Sequence, residues 1–329
     1  MPQDGFGREI DYLRISLTDH CNLRCVYCMP LEGLSFAPPA HLLTPQEIER
    51  VVRAAVAVGF RKFRLTGGEP TLRVDLLEII ARIASVPGAS DLAMTTNGVL
   101  LSRLAGDLKR AGLRRVNVHV DSLDPARLGR IMRWGSFDDI WAGVLAAEAA
   151  GLQPVKLNTV VARGFNEDDV IPLAALTRDR AWHVRFIETM PLGIDEASRV
   201  ARDCLVPNRE VRGRIEAALG PLEPLEAQDP SDEARNFRLG GAAGIVGFIS
   251  PVTEPYCGTC NRMRLTADGR FHLCLLNDDD LDVRAALRRG EDAEAIGAIL
   301  VRAVAHKPTG HQLALGRSTT ARQMFQIGG

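Results

Sequence analysis

The sequence predicts an α/β protein built on a parallel sheet. Three observations carry that expectation. Short β-branched runs alternate with longer helical patterns in six successive units, which implies right-handed crossovers between parallel strands. Six units fall short of the eight that close a TIM barrel, so the sheet is either open and doubly wound or a partial barrel. Polar clusters stand at the ends of the strand candidates, where both folds collect ligands.

The strand candidates are YLRISLT (12–18), KFRLTGG (62–68), LAMTTNG (92–98), RVNVHVDS (115–122), PVKLNTVV (154–161) and HVRFIETM (183–190). The polar ends are TGGEP, TTNG, DS and ETMP. Between strands, TPQE at 44–47 is a capping box with Pro at the first helical position, ahead of IERVVRAAVAVG. SFDDIWAGVLAAEAAG (136–151) opens on a Ser cap and ends on Gly. NEDDVIPLAALT (166–177) opens on an Asn cap. Beyond about residue 200 the rhythm changes. The stretch 221–241 is polar and rich in Pro and Gly, predicting a linker or mobile loop. GIVGFIS and NRMRLTADGRFHLCLL predict antiparallel strands, with Asp268-Gly269 as a hairpin turn. Helical patterns then run from about 281 to 306, and GRSTTARQMFQIGG forms a tail ending in Gly328-Gly329.

A formal net charge of −1 provides no general field favouring a nucleic acid or a membrane surface. No apolar stretch reaches bilayer length, and MPQDGFGREIDYLR lacks a charged-then-apolar signal pattern. The expected location is cytoplasmic. Disulfides are not expected there, so the seven cysteines read as metal ligands or buried thiols. Six of them fall into two groups, and Cys204 stands apart as an incidental thiol. The basic residues are nearly all arginine, with lysine only at 62, 109, 156 and 307.

Cys21, Cys25 and Cys28 follow the first strand in CNLRCVYCMP. Thiolates at this spacing can wrap one corner of an iron–sulfur cluster. A closed zinc site takes four ligands; a zinc knuckle completed by His20 or His41 is the alternative. Three thiolates on a four-iron cluster leave one iron without a protein ligand, and an open metal position implies chemistry. CNLRCVYC resembles the CxxxCxxC signature of the radical S-adenosylmethionine superfamily, and TGGEPTLR (66–73) resembles its GGEP motif. The resemblance implies a [4Fe-4S] cluster on Cys21, Cys25 and Cys28. Its open iron would be chelated by the amino and carboxylate groups of S-adenosylmethionine, whose reductive cleavage yields a 5′-deoxyadenosyl radical. Tyr27 and Gly68 are implied at the cofactor, Gly68 near the methionine amino group. Thr95 matches a position that meets substrate or cofactor; we assign it to the substrate.

Cys257, Cys260 and Cys274 again offer three thiols, with a zinc ribbon completed by His272 as the alternative. Two such trios, the motif EPYCGTCNRMRLTADGRFHLCL and the paired terminal glycines together resemble one family, the GTP 3′,8-cyclases of molybdenum cofactor biosynthesis, from about residue 10 to 329. The resemblance implies a partial (β/α)6 TIM-like barrel over 1–200. It implies a small C-terminal α+β segment over 201–329 that closes the open side and holds a second [4Fe-4S] cluster. The Gly-Gly tail is expected to reach into the barrel. The implied reaction is a radical lyase step. Hydrogen leaves ribose C3′ of GTP and C3′ attacks guanine C8, giving (8S)-3′,8-cyclo-7,8-dihydroguanosine 5′-triphosphate, while the second cluster anchors the guanine.

A triphosphate needs converging cations, and the planar fork of arginine suits phosphate oxygens. Arg262 and Arg264 lie two apart on a strand and share a face. The resemblance puts them in the GTP pocket with Arg14 and Arg64. Lys156 sits mid-strand, where an inward lysine is costly unless it meets an anion. Lys62 and Arg185 are further candidates. Met190 is implied against the adenine. At NVHVDS the chain departs from the family's NVSLDS, and the serine's contact to S-adenosylmethionine passes to His119. The implied partners are a reductant such as flavodoxin or ferredoxin, the next enzyme, cyclic pyranopterin monophosphate synthase, and a second copy in a homodimer, with no nucleic acid and no membrane. Two other readings fit the residues. One is a radical S-adenosylmethionine enzyme of peptide or haem maturation with an auxiliary cluster. The other is a metal-stabilised binding protein without catalysis.

Overall fold

Residues 1–227, 229, 231–313, 320 and 322–328 are described in the computed structural model of the chain. The six predicted strands are present as β1 (Tyr12–Ser16), β2 (Lys62–Thr66), β3 (Asp91–Thr96), β4 (Arg115–His119), β5 (Lys156–Val161) and β6 (His183–Glu188). They pair in sequence order, and every pairing is parallel. Alternation along each strand divides its side chains between two faces. Leu13, Ile15, Phe63 and Leu65 pack outward into one buried core with Ile48, Val51 and Val52 of the helix Pro45–Ala57. Tyr12, Arg14, Ser16, Lys62, Arg64 and Thr66 therefore face the interior of the curved sheet. That helix starts at the predicted capping box: Thr44 Oγ1 accepts from Glu47 N at 3.2 Å, and Glu47 Oε2 accepts from Thr44 N at 2.8 Å.

The predicted Asn166 cap is not one. Its side-chain oxygen accepts from Ala162 N at 2.8 Å, and its nitrogen donates to Asp121 O at 2.8 Å and Val160 O at 2.9 Å. The helix begins later, at Val170–Ala175. Asn166 ties the loops after β4 and β5 together, a demand from tertiary neighbours that overrides the local cap.

The segment after residue 200 differs more from expectation. The predicted linker 221–241 carries β7 (Leu222–Pro224) and β8 (Arg235–Leu239), which pair antiparallel. Phe237 and Leu239 are buried and Arg238 is exposed, a two-residue alternation that the polar composition had masked. The predicted antiparallel pair splits apart. β9 (Ile245–Ile249) lies parallel beside β6, and β10 (Arg262–Leu265) lies parallel beside β1. Every residue of β10 is buried, as a parallel strand covered on both faces requires. The hairpin at Asp268-Gly269 is present: it joins β10 to β11 (Arg270–His272), with Gly269 at φ +81°, and β12 (Asp280–Asp282) follows. Among the described residues the twelve strands form one sheet, ordered β12-β11-β10-β1-β2-β3-β4-β5-β6-β9-β8-β7. The C-terminal segment thus extends both edges of a partial barrel, and among the described residues no hydrogen-bonded ladder closes the sheet. Side chains bridge the open side instead. Arg14 of β1 and Arg262 of β10 both reach Glu233, just ahead of β8. Among the described residues no helix is long and apolar enough to cross a membrane.

Glu188, at the end of β6, anchors the C-terminal segment. Its buried carboxylate accepts from Asn208 N at 3.1 Å, Val252 N at 3.1 Å, Thr253 N at 3.0 Å and the Thr253 hydroxyl. Glu188→Ala leaves these donors unpaired in a dry site and is expected to destabilise the fold by roughly 3 kcal/mol. Glu188→Gln keeps an acceptor and is expected to lose less. Chemical denaturation of both variants checks this; equal losses would contradict the hydrogen-bonding role.

Candidate active site

The three N-terminal cysteines line a cavity of about 190 Å³ at the C-terminal ends of the barrel strands. Tyr27, Gly68, Thr95, His119 and Met190 line it too, so every residue predicted for the cofactor is gathered there, with Thr95 beside them. The cysteine loop is held from several sides. Cys28 N and Met29 N both donate to Cys25 O, at 3.0 and 3.1 Å. Arg24 N and Val26 N bond to Met132 O and Ile131 O at 3.1 and 3.0 Å. The Arg24 guanidinium donates to Cys21 O at 2.8 Å and stacks on Trp134 at 4.4 Å.

These thiols resist ionisation. Burial pushes Cys21 up to about 11, and burial with the neighbouring Cys21 and acidic charges pushes Cys28 up to about 12. Burial and Asp121 raise Cys25 as well. A bound cation reverses this order, because metal ligation releases thiol protons. The zinc-knuckle alternative finds no support. His20 stacks on Phe36 at 4.2 Å and bonds to Asp19, and His41 is exposed in a short 3₁₀ turn. Among the described residues no three His, Cys, Asp or Glu side chains meet as they would on one metal ion.

The glycines of TGGEP explain how the loop after β2 comes so close. Gly67 has φ +151°, and a Cβ on it would lie 2.4 Å from Thr18 O; one on Gly68 would lie 2.3 Å from His20 O. Gly68 N and Glu69 N donate to those two carbonyls, each at 2.7 Å. Glu69, whose role no local pattern in the sequence signals, is buried and accepts from Thr71 N, Thr96 Oγ1 and Asn97 N at 3.0, 2.7 and 2.7 Å. It thereby locks the ends of β2 and β3 together. Asn97 in turn donates to Asn22 Oδ1 at 2.7 Å, inside the cysteine loop.

His119 lines the cavity, but its Nε2 is committed. It lies 2.5 Å from Tyr27 Oη and 2.8 Å from Asp121 Oδ2, and Tyr27 donates to the same carboxylate oxygen at 2.6 Å. With the Tyr27 proton directed at Asp121, Nε2 must carry a proton to face either neighbour. The tail also enters the barrel. Met324 and Phe325 line the same cavity, and a Cβ on Gly328 would lie 2.8 Å from Thr66 Cγ2 and 2.9 Å from Ser16 Cβ. Gly329 is outside the described residues.

Toward the opposite ends of the strands lies a cationic floor. Arg264, Arg14 and Arg64 are register partners on β10, β1 and β2. Like charges opposite one another in a sheet repel. Tyr12 stands between them, with the guanidinium carbons of Arg14 and Arg64 at 5.7 and 5.3 Å from its ring. Burial raises the Tyr12 phenol, but Arg64, Arg14 and Arg262 outweigh it and lower its pKa overall. Burial and mutual repulsion lower Arg64 and Arg264 to about 10 and Arg185 and Arg262 to about 9. Burial with Arg185 and Arg64 lowers Lys156 to about 7. Guanidinium groups stay charged under such pressure, so the floor is short of negative charge. The Nε atoms of Arg14, Arg64 and Arg264 and the Tyr12 hydroxyl are buried without hydrogen-bond partners. Arg185 donates to Asn158 Oδ1 at 2.9 Å, and the Asn117 amide oxygen accepts from Arg64 and Arg185 at 2.8 and 3.1 Å. Lys62 is instead occupied by Asp11, at 3.2 Å, and Asp229.

The second cysteine trio borders this floor. Cys257 opens a 3₁₀ turn, Cys260 ends it just before β10, and Cys274 follows β11. Arg8 donates to Cys257 O at 2.6 Å, Thr309 O at 2.9 Å and Pro308 O at 2.6 Å. Lys307 is buried and donates to Leu273 O at 2.8 Å; burial lowers its pKa against the opposing pull of Cys260 and Cys274. Burial raises Cys274. His272, the zinc-ribbon candidate, is register partner to Arg264 in the β10–β11 hairpin. Cys274 and Met190 pack on one apolar cluster, Leu192, Leu276, Leu313 and Ile327, which links the two cysteine sites.

Two family models match the chain: the Radical SAM superfamily over residues 15–177 and Molybdenum Cofactor Synthesis C over 182–313. The chain is 49% identical to a GTP 3′,8-cyclase of Pelotomaculum thermopropionicum over 99% of its own length and 100% of the relative's. It is 45% identical to one of Moorella thermoacetica over the same shares. Its fold is similar to that of Streptococcus suis SuiB bound to S-adenosylmethionine, with TM-score 0.62, 14% identity and coverage of 88% of this chain and 68% of that one.

The pH dependence of the His119 contact has a definite sign. Burial alone would lower the His119 pKa, but the Asp121 charge and its hydrogen bond raise it above 6.5. The pair's contribution to stability is therefore full below pH 6.5 and fades as pH rises through the folded-state value. His119→Gln is expected to lower the thermal midpoint most near about pH 6 and least near about pH 8. A gap that widens with pH would contradict the ion pair.

Proposed function

The chain belongs to the GTP 3′,8-cyclase family of radical S-adenosylmethionine enzymes, and from that premise we propose how its residues divide the family's reaction. The reaction is the cyclisation of GTP to (8S)-3′,8-cyclo-7,8-dihydroguanosine 5′-triphosphate, the first step of molybdenum cofactor biosynthesis, with S-adenosylmethionine and [4Fe-4S] clusters as cofactors.

In this reading Cys21, Cys25 and Cys28 hold the first cluster and Cys257, Cys260 and Cys274 the second. Bound at the first trio, the cluster and S-adenosylmethionine supply the hydrogen-atom abstraction. Tyr27, Gly68, Thr95, His119 and Met190 line the cofactor's cavity. Assigning Thr95 to the substrate requires that the two ligands meet at that wall. Met190, Met324 and Phe325 make the cavity apolar and keep water from a reactive centre. Arg14, Arg64, Lys156, Arg262 and Arg264 grip the triphosphate, with Arg185 and Tyr12 added by their place on the floor. The observation that carries this reading is the register of Arg264, Arg14 and Arg64 on neighbouring strands. Buried like charges in that arrangement call for a polyanion, and a triphosphate meets that demand with several oxygens at once. A flavodoxin- or ferredoxin-type reductant, cyclic pyranopterin monophosphate synthase as the next enzyme and a homodimer complete the proposal; these three rest on family membership alone.

Cys25→Ala is expected to abolish cleavage of S-adenosylmethionine under reductant; persisting cleavage would remove that trio from its role. Arg264→Ala is expected to raise the KM for GTP by about tenfold or more, because a charge-assisted contact to phosphate is lost. Uncoupled cleavage of S-adenosylmethionine should remain measurable in this variant. Unchanged cyclisation kinetics would take Arg264 out of the substrate site.

A further inference from the structure

We infer that Glu233 is a resident counter-anion on the cationic floor, which the triphosphate displaces on binding; the inference rests on the phosphate-binding role proposed above. Glu233 is only 7% exposed and stands in the turn before β8. Its Oε1 lies 3.0 Å from Arg14, 3.5 Å from Arg64 and 3.9 Å from Arg185, and its Oε2 meets Arg262. Four guanidiniums from β1, β2, β6 and β10 thus converge on one carboxylate. Beside it, Ser231 O accepts from Arg262 at 3.3 Å, and the Asp232 charge acts favourably on Lys156 and Arg185.

One carboxylate cannot satisfy this set. It has two oxygens against four forks, and the Nε atoms of Arg14 and Arg64 stay unpartnered despite it. A ligand with more charge and more acceptor oxygens gains more from the same donors. A triphosphate is such a ligand; a single phosphate adds at most about one charge to that of the carboxylate it would replace. Glu233 therefore sets a threshold of charge that favours nucleoside triphosphates over monophosphates. The displaced side chain has somewhere to go. A cavity of about 540 Å³ borders Glu233 on the side of Phe248, Glu254 and Tyr256.

The competing view is a fixed ion pair that shapes the floor and stays in place when substrate arrives. The two views predict opposite signs. If Glu233 must leave, the competent state is only partly populated, and removing its charge lifts that penalty. If it is a fixed support, removing its charge loosens the arginines and weakens phosphate binding.

The test is calorimetric titration of inorganic tripolyphosphate, pyrophosphate, phosphate and GTP into anaerobically reconstituted enzyme, wild type against Glu233→Gln and Glu233→Asp. The expected result is tripolyphosphate binding about tenfold tighter in Glu233→Gln, with wild-type-like binding in Glu233→Asp. The KM for GTP should fall in Glu233→Gln, and the preference for tripolyphosphate over phosphate should narrow. Without anions the Gln variant should melt earlier than wild type, and tripolyphosphate should restore it. Equal or weaker tripolyphosphate binding in Glu233→Gln overturns the inference, as does tighter binding in Glu233→Asp matching that of the Gln variant. Wild-type enzyme that binds tripolyphosphate but not GTP would instead overturn the substrate assignment, leaving the Glu233 comparison to be judged on tripolyphosphate alone.

Discussion

Mutual repulsion among buried arginines is the constraint around which this molecule is arranged. Parallel register sets Arg264, Arg14 and Arg64 side by side on β10, β1 and β2, and Arg185 approaches from β6 across the open side. A fold does not tolerate such charges unless something negative sits among them. Glu233 and the amide oxygens of Asn117 and Asn158 sit among them in this structure, and in the reading proposed above the substrate takes over that role. This also explains why the open side is bridged by side chains. A hydrogen-bonded ladder there would make the opening permanent wall, whereas an ion pair between β10 and the turn before β8 can be exchanged for a ligand.

The two halves of the chain share one main core and two parallel ladders, β1–β10 and β6–β9, to which buried polar contacts and a second, small apolar cluster add. Glu188 carries the load at the end of β6, where its carboxylate holds the backbone at Val252 and Thr253. Leu192, Leu276, Leu313 and Ile327 sit between the cysteine sites, so Met190 on one side and Cys274 on the other lean on common support. A change in packing at either site is felt at the other, because close-packed interiors transmit displacement.

What the sequence revealed follows from the range of each signal. The CxxxCxxC spacing, the Thr44 capping box and the glycines of TGGEP are local, and their partners lie within a loop or two. Arg262 and Arg264 were legible as a pair because strand alternation puts them on one face. Glu233 was not, since its arginine partners are separated from it by 29 to 219 residues in the chain. Glu69 and Tyr12 act largely through neighbours brought in by the fold, and Asn166 reads as a cap until the loops after β4 and β5 claim its side chain. The stretch 221–241 was misread because its Pro and Gly content hid the alternation of Phe237, Arg238 and Leu239. The splitting of β9 and β10 to opposite edges depends on which barrel strand each one meets, and no pattern within either strand encodes that.

Arg8 ties the backbone of Cys257 to Pro308 and Thr309, so the second trio is braced by residues from both extremities of the chain. The loop of the first trio is held instead by Ile131, Met132 and Trp134, near the middle of the chain. Loosening the chain around Pro308 would therefore free the backbone at Cys257 while leaving intact the bonds from Met132 and Ile131 that hold the loop of Cys21, Cys25 and Cys28.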